Sequence, residues 1–452
     1  MVATMALLAA GSAWSQDPPP SDSTRQPVSF SRDIAPIFSA KCVSCHGPEK
    51  AKGSFRLETY ERMMTPGDSE EPAIVSGSPD QSLLYQLITT SDPEDRMPQK
   101  DEPLAAAQIQ LVRRWIAEGA NAPGAERTLP VGILTGHRQH PAPPATYGRP
   151  LPIRALAFSP DGRTLAAGGF HEVTLWDSHT GTLQARWTNL VERIHDLVYA
   201  PEGGPLLVVG GNPGRLGEAR LLDTKDGHSV RLMALASDTL LTGAFSPDGS
   251  LIAVGGCDRV IRILRTGNAT VLATLQHHSD WVLDLAFSTS GSHLVSASRD
   301  ATARVFETAM WTMISAYRDH DQAVYGAVFA RNDSMILSAS GNQLHAWNAD
   351  SAKKSKTSKP IGSTILSMTT DGDALWLSAA DGRVVSCSME EPGKVTRTLD
   401  GLNDAVYALA WHSPSRRLAA GAHDGRVHVW NANSGEETIR FIASPGWGPE
   451  GK

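Results

Sequence analysis

The segment Phe158-Ser-Pro-Asp-Gly162 decides the fold of most of this chain, because it returns at a regular interval. Each copy predicts a tight turn between two short apolar strands, such as those expected over 153–158 and 164–168. The closest copies are Tyr199-Ala-Pro-Glu-Gly203, Phe245-Ser-Pro-Asp-Gly249 and Phe287-Ser-Thr-Ser-Gly291, and degenerate copies begin at Phe329, Met368 and Trp411. The intervals between successive copies are 41, 46, 42, 42, 39 and 43 residues.

A repeat of this length, made of several short strands, predicts a β-propeller. One such unit cannot bury both of its faces alone, so neighbouring units pack face to face and closure of the ring protects the sheet edges. Seven copies predict seven blades. The third strand of a repeat typically ends in an aromatic or aliphatic pair followed by a polar residue, as in Leu175-Trp176-Asp177 and Val429-Trp430-Asn431. The stretch 150–442 thereby resembles the WD40 repeat family.

The resemblance implies structural roles for several polar residues in the turns of the propeller. The family places a structural aspartate in the tight turn before the third strand, and histidines of the loops often form hydrogen bonds to it. The matching aspartates are Asp258, Asp300, Asp381 and Asp424, and the matching histidines are His137, His278, His320 and His423. We therefore expect these residues to stabilise turns rather than to act as catalytic or metal-binding groups.

The sequence offers two candidates for the outer strand that completes the ring. One is Val131–Leu134, which precedes the first repeat, and the other is Glu437–Ile442, which ends the last one. Both cannot hold the same place unless one blade has an extra strand. We favour the C-terminal segment.

A second motif, Cys42-Val43-Ser44-Cys45-His46, carries the chemistry of the chain. Two cysteines separated by two residues and followed at once by histidine are the pattern for covalent attachment of c-type haem. Each thiol bonds to one vinyl group, and the imidazole of His46 becomes the proximal iron ligand. A zinc site would need a second Cys/His cluster of suitable spacing, and a thioredoxin-like dithiol would need a βαβ setting. Neither is seen in the sequence.

The sixth iron ligand of an electron-transfer cytochrome is usually a methionine. Met63, Met64 and Met97 are the candidates. Met97 precedes Pro98 in the charged stretch 92–98, where a methionine is not needed as core filling, whereas Met63 and Met64 fit ordinary apolar packing. We expect the porphyrin to be lined by six apolar residues, Ile37, Phe38, Leu57, Leu111, Trp115 and Ile116.

Residues 28–121 resemble the cytochrome c domain found in many proteins of planctomycetes. The matching segments are Phe30-Ser-Arg-Asp-Ile-Ala-Pro-Ile-Phe38, Cys42-Val-Ser-Cys-His-Gly-Pro48, Phe55-Arg-Leu57, Ala73-Ile-Val-Ser-Gly-Ser-Pro79, Ser82-Leu-Leu84, Arg96-Met-Pro98 and Leu111-Val-Arg-Arg-Trp-Ile-Ala-Glu-Gly-Ala120. The family motif usually reads Met-Pro-Pro, whereas this chain has Gln99 in the third position. The resemblance implies one haem c per chain, held by Cys42 and Cys45, with His46 and Met97 as axial ligands.

The composition of the chain and its Pro-rich and apolar segments predict how it is divided into parts. The chain has 452 residues, of which 41% are hydrophobic and 20% charged, and its net charge is −7, so no nucleic-acid-binding footprint is present. The predicted parts are a signal peptide over 1–15, a linker over 16–27, a cytochrome c domain over 28–124, a Pro-rich linker over 125–151, the propeller over 152–442 and a tail over 443–452. The apolar N-terminal segment lacks the usual preceding positive charge, but haem c attachment also indicates export to the periplasm or cell envelope. We expect no integral membrane span apart from the signal.

The remaining cysteines, Cys257 and Cys387, fall in the third and sixth repeats. Because those blades are not neighbours, we expect no disulfide bond between them and predict that both are small buried side chains.

These features favour an electron carrier or redox sensor over a catalyst. In that hypothesis the haem transfers one electron and a face of the propeller docks an unknown protein partner. One alternative is an oxidoreductase with a second cofactor or substrate site in the propeller. A further alternative is a scaffold in which the haem is structural.

Overall fold

The computed structural model describes residues 27–47, 50–99, 101–122, 127, 131–134, 140–370, 374–389 and 391–447. The predicted signal peptide, nearly all of the first linker, His137 and the last five residues lie outside these described residues. Among the residues described, no helix is long and apolar enough to cross a membrane.

The N-terminal part of the chain is helical, as the sequence predicts. A π-helical turn, Phe30–Ile34, leads into the first helix, and short 3-10 turns occur at Lys52–Ser54 and Pro79–Gln81. The α-helices are α1 (Ala35–Lys41), α2 (Val43–His46), α3 (Tyr60–Met63), α4 (Leu83–Thr89), α5 (Ala106–Ala117) and α6 (Val131–Leu134). Their core is aromatic: the ring of Phe30 stacks on Trp115 with centroids 5.5 Å apart and meets Tyr60 edge-on at 5.5 Å. Such buried aromatic clusters stabilise small domains through large apolar contact areas.

The described residues from 156 onwards form seven four-stranded antiparallel sheets, each from four consecutive strands. The first four blades are β1–β4 (Leu156–Phe158, Thr164–Gly168, Val173–Asp177, Leu183–Trp187), β5–β8 (Arg193–Tyr199, Leu206–Asn212, Leu216–Leu222, Ser229–Ala236), β9–β12 (Leu240–Phe245, Leu251–Gly256, Ile261–Arg265, Val271–Leu275) and β13–β16 (Val282–Phe287, His293–Ser298, Ala303–Glu307, Met313–Tyr317). The last three are β17–β20 (Val324–Ala330, Met335–Ser340, Gln343–Asn348, Lys354–Thr357), β21–β24 (Ile365–Thr370, Ala374–Ala379, Val384–Ser388, Val395–Leu399) and β25–β28 (Val406–His412, Arg417–Ala422, Arg426–Asn431, Glu437–Ile442).

The sheets close into a ring through their first strands. The first strands of neighbouring blades contact one another in sequence order, and β1 of blade 1 contacts β25 of blade 7. Separate clusters of buried apolar residues fill the spaces between adjacent blades, as between blades 2 and 3 and between blades 5 and 6. The cluster between blades 1 and 2 is continuous with the core of the helical part. The predicted seven-bladed propeller is therefore confirmed.

The C-terminal segment completes the seventh blade. Glu437–Ile442 forms β28, which pairs with β27 from Trp430↔Glu437 to Arg426↔Ile442, whereas Val131–Leu134 is helical. Blade 7 then packs on blade 1, where the ring of Phe441 lies 5.2 Å from that of Trp176. The backbone N–H of Ile153 also donates to the carbonyl of Ala422 at 3.0 Å. The ring thus closes by packing between complete blades.

Residues 140–151, called the strap below, are the last part of the predicted Pro-rich linker and are fixed to the propeller. The side chain of Arg186 donates to the carbonyl oxygens of Pro144 at 2.7 Å and Ala145 at 2.8 Å. The Tyr147 hydroxyl donates to the buried carboxylate of Glu172 at 2.6 Å, and Arg186 Nε donates to the same carboxylate at 2.5 Å. These bonds hold the strap along blade 1.

Candidate functional site

A cavity of about 610 Å³ opens in the helical part, and all four predicted ligand residues line it. They are Cys42, Cys45, His46 and Met97. Its volume lies within the range of roughly 300–1,000 Å³ that is usual for cofactor pockets. The fold therefore brings together residues that are up to 55 positions apart in the sequence.

The two cysteines are positioned by the end of α1 and the single turn of α2. The N–H of Cys42 donates to the carbonyl of Phe38 at 2.9 Å, which continues the helical path of α1. The carbonyl of Cys42 then accepts from the N–H groups of Cys45 and His46 at 3.1 and 3.0 Å. Because residues three apart share one side of a helical turn, both thiols reach the same cavity.

The imidazole of His46 is oriented by the backbone of the next segment. Its Nδ1 lies 3.2 Å from the carbonyl oxygen of Phe55, which can only accept, so Nδ1 carries the proton and donates it. The other ring nitrogen, Nε2, then keeps its lone pair for a metal. Metal-binding histidines usually have such a hydrogen bond, which fixes the tautomer and the orientation of the ring.

Met97 is held by the helix that forms part of the cavity wall. Its N–H donates to the carbonyl of Leu87 in α4 at 2.9 Å. The side-chain amide of Gln99, which replaces the family's second proline, donates to the carbonyl of Glu94 at 3.0 Å and joins the two ends of the loop. By contrast, Met63 is fully buried in the core and Met64 packs against it, and neither lines the cavity.

The apolar lining differs from the one expected from the sequence. Of the six residues predicted to surround a porphyrin, only Leu57 lines the cavity. Trp115 instead packs on Phe30 and Phe38 on the other side of the core. The lining residues that sequence reasoning missed are Phe55, Leu83, Leu84, Leu87, Ile88 and Leu104. The helical spacing of Leu84, Leu87 and Ile88 just before Met97 was the signal that could have revealed them.

The Cys42 thiol does not have the character of the reactive thiol of a redox pair. Burial, with a smaller contribution from neighbouring Cys45, raises the pKa of Cys42 to about 12. A reactive dithiol needs a thiol whose pKa is lowered. In the described part of the chain, no group of three or more His, Cys, Asp or Glu side chains is placed to hold a metal ion on its own. The donor set, two thiols with an imidazole and a thioether, fits a covalently attached haem better than zinc.

An ion pair spans the rim of the cavity. Lys41 at the end of α1 contacts Asp101, beyond the Met97 loop, with 2.8 Å between Nζ and Oδ2. Their hydrogen bond raises the pKa of Lys41 and lowers the pKa of Asp101. Both side chains are partly exposed, so the pair is expected to contribute little to stability.

The predicted turn aspartates of the propeller have the expected structural role. Asp258, Asp300, Asp381 and Asp424 each accept a hydrogen bond from the backbone N–H two residues later, at 3.0–3.3 Å. The histidines follow the prediction less uniformly. His278 Nδ1 lies 2.9 Å from Asp300, but His423 contacts Asp404 rather than an aspartate of its own turn.

His320 departs furthest from the prediction, because it contacts no turn aspartate. Its Nε2 lies 2.9 Å from the hydroxyl of Ser338, and its ring lies 4.2 Å from that of His345. The cause is the length of the turn. Four residues connect β14 to β15 around Asp300, whereas two residues connect β18 to β19.

The remaining cysteines are free thiols in separate blades. Cys387 on β23 is fully buried, as expected. Cys257 follows β10 and is partly exposed, so the prediction that it is buried was wrong.

Both the helical part and the propeller resemble known protein families. Residues 42–101, which begin at the first cysteine and include Met97, match the family described as Planctomycete cytochrome C. Residues 142–177, 219–264, 269–307 and 393–431 match the WD domain, G-beta repeat. The propeller is built from WD repeats. Each matched segment ends on the third strand of a blade, and two of the four, 269–307 and 393–431, start just before the outer strand of the preceding blade.

Curated relatives resemble only parts of this WD-repeat chain. WD repeat and SOCS box-containing protein 1 of Takifugu rubripes is 27% identical over 31% of this chain and 33% of its own length. The Mus musculus protein of the same name is 31% identical over 23% of this chain and 24% of its own length. B-type cell cycle switch protein ccs52B of Medicago truncatula is 26% identical over 23% of this chain and 21% of its own length. The chain spans about a third or less of the length of these relatives.

Proposed function

We propose that this protein is an exported electron-transfer protein that binds one haem c and docks a protein partner through its WD-repeat propeller. The observation that carries the proposal is the cavity shared by Cys42, Cys45, His46 and Met97. The match to the planctomycete cytochrome family covers the same four residues and gives independent support.

In this proposal each residue of the cavity has a separate role. The thiols of Cys42 and Cys45 would hold the haem, His46 would bind its iron through Nε2, and the Met97 thioether would be the second axial ligand. The hydrogen bond from His46 Nδ1 to the Phe55 carbonyl would keep the imidazole in its binding tautomer. Apolar residues such as Leu84 and Ile88 would exclude water. Haem c supplies a one-electron iron couple, and methionine ligation raises its potential.

The propeller offers a surface of the composition that protein partners use. Trp281 and Tyr325 are exposed large side chains near the start of β13 and β17. The guanidinium of Arg299 lies 3.8 Å from the centre of the Trp281 ring and pairs with Asp280 at 2.8 Å. Trp, Tyr and Arg are enriched among residues that dominate binding energy at interfaces. This cluster is therefore the proposed docking point.

The haem proposal is tested by the visible spectrum of protein produced with a haem c maturation system. We expect a single c-type spectrum with the charge-transfer band of methionine-ligated ferric haem. Met97→Ala should abolish that band and lower the reduction potential, whereas Met64→Ala should leave both unchanged. A spectrum unaffected by Met97→Ala would refute the assigned ligand, and an additional chromophore would favour an oxidoreductase with a second cofactor.

The docking proposal is tested with a partner identified by crosslinking to the intact protein. Trp281→Ala should weaken binding at least tenfold, because central aromatic residues commonly contribute about 2 kcal/mol or more. Phe170→Ala removes another exposed aromatic side chain, on blade 1, and serves as the matched control. Equal effects of the two variants would contradict the proposed docking point.

A further inference from the structure

The lysines of this chain are concentrated on one edge of the propeller. The chain contains 11 lysines and 30 arginines, and four of the lysines fall within the seven residues 353–359. These four, Lys353, Lys354, Lys356 and Lys359, are all exposed and are called the lysine edge below. Such segregation in a chain of net charge −7 is unexpected for lysines that serve solubility alone.

The lysine edge lies on β20, the outer strand of blade 5, and at its two ends. Lys354 and Lys356 are opposite Trp347 and Ala346 in the pairing with β19. Lysine on an exposed edge can prevent unwanted strand pairing. The outer strands of the other six blades, however, contain no lysine at all. Protection of the edge therefore does not explain why β20 alone contains two lysines and has two more beside it.

The lysine edge is also little used for contacts within the protein. Across the residues that the structure describes, one ion pair involves it, between Lys354 and the exposed Asp319 at 3.5 Å. Most ion pairs among the described residues use arginine instead, such as Arg262 with Asp258 at 2.6 Å and Arg186 with Glu172. The charges of the lysine edge thus remain available to an external anion.

Exposed apolar groups lie on the adjacent blade. Met310 is 75% exposed in the turn between β15 and β16, and Ile314 on β16 is 37% exposed. The hydroxyl of Ser315 on β16 donates to the carbonyl of Ala349, which belongs to the turn that leads into the lysine edge. The outer edges of blades 4 and 5 therefore combine a basic strand with exposed apolar side chains.

The residue types distinguish between two classes of anionic partner. Protein interfaces are enriched in arginine and depleted of lysine, because the guanidinium forms specific paired contacts. Lysine acts as a flexible, hydrated point charge, and clusters of four to eight basic residues are typical of attraction to anionic membranes. Neighbouring apolar side chains strengthen such binding by entering the interface. We propose that the lysine edge, together with Met310, docks this protein on an anionic phospholipid surface.

The proposal is tested by sedimentation of the full chain with vesicles of phosphatidylcholine alone or mixed with phosphatidylglycerol. The native protein should bind only the anionic vesicles, and binding should weaken as salt is added. Each lysine is expected to contribute about fivefold, so replacing all four with glutamine should weaken binding more than 100-fold. Met310→Ser should weaken it severalfold further.

Matched variants separate the effect of these four charges from folding and from other basic residues. Replacing the four lysines with arginine should retain binding, because the charge is kept. Lys225→Gln with Lys394→Gln removes two exposed lysines from other blades and should have little effect. Every variant has the same N-terminal segment, so that segment cannot produce a difference. Equal binding by the glutamine variant, no binding by the native protein, or binding to polyglutamate without binding to anionic vesicles would each overturn the proposal.

Discussion

Acid should destabilise blade 5 because His320 is buried without an acidic partner. Its side chain is 6% exposed, and burial, with smaller contributions from His345 and Lys354, lowers its pKa to about 3. An unfolded histidine has a pKa of about 6.5. The folded protein therefore binds fewer protons than the unfolded chain, so stability is lost as the pH falls below 6.5 and continues to fall until about pH 3.

The size of the effect follows from this difference in pKa. Each pH unit within that range costs about 1.4 kcal/mol, so acidification from pH 7 to pH 4.5 should cost about 2–3 kcal/mol through His320 alone. The pKa of His345 is also lowered by burial, and its contribution has the same sign. His228 is a suitable control, since its exposed ring pairs with Asp226 and its pKa is raised instead.

The assay is urea-induced unfolding followed by tryptophan fluorescence at pH 7 and pH 4.5. Trp347 belongs to the same network, because its indole N–H donates to the Ser338 hydroxyl at 2.9 Å. His320→Gln should lose about 2–3 kcal/mol less stability on acidification than the parent protein, whereas His228→Gln should not reduce the acid loss. Equal acid losses in the His320→Gln variant and the parent would show that His320 is not the source of the acid sensitivity.

Two further predictions concern the strap and the closure of the ring. Glu172→Ala should destabilise the propeller by about 3 kcal/mol and expose the strap to proteolysis, because it removes the carboxylate that pairs with the Arg186 charge. Tyr147→Phe should cost only about 1 kcal/mol, and similar losses for both variants would contradict this. Phe441→Ala should cost about 3–5 kcal/mol by removing buried packing between blades 7 and 1, and the partly buried Ile439→Ala should cost less when the two are compared by urea unfolding. A loss below 1 kcal/mol for Phe441→Ala would show that closure does not depend on this packing.

The propeller could be predicted from the sequence because its signals are local and repeated. A turn such as 158–162 needs its glycine, since Gly162 has a φ of 69°, and the repeat interval then sets the number of blades. The outer strand Glu437–Ile442 directly follows the third strand of the last repeat, and it completes the seventh blade. Val131–Leu134 is also apolar but forms a helix. Four residues are too few to distinguish the periodicity of a helix from the alternation of a strand.

The four residues that the sequence singled out for the candidate site line one cavity, but most of the apolar residues around them could not be predicted. Cys42, Cys45 and His46 are adjacent in sequence, and Met97 stands out among charged residues, so each could be identified without the fold. The lining depends instead on which side of the core each apolar residue faces. Trp115 and Leu84 are both apolar residues on helices, and tertiary packing alone places Trp115 in the core and Leu84 at the cavity.

Covalent haem binding is best tested by the intact mass of the protein, produced by export in a host with a haem c maturation system. We expect a mass increase of one haem per chain that survives denaturation. The increase should disappear in the Cys42→Ala, Cys45→Ala double variant and remain in a Cys257→Ala, Cys387→Ala control. An unmodified native chain, or haem that stays covalently attached to the double variant, would refute covalent attachment through Cys42 and Cys45.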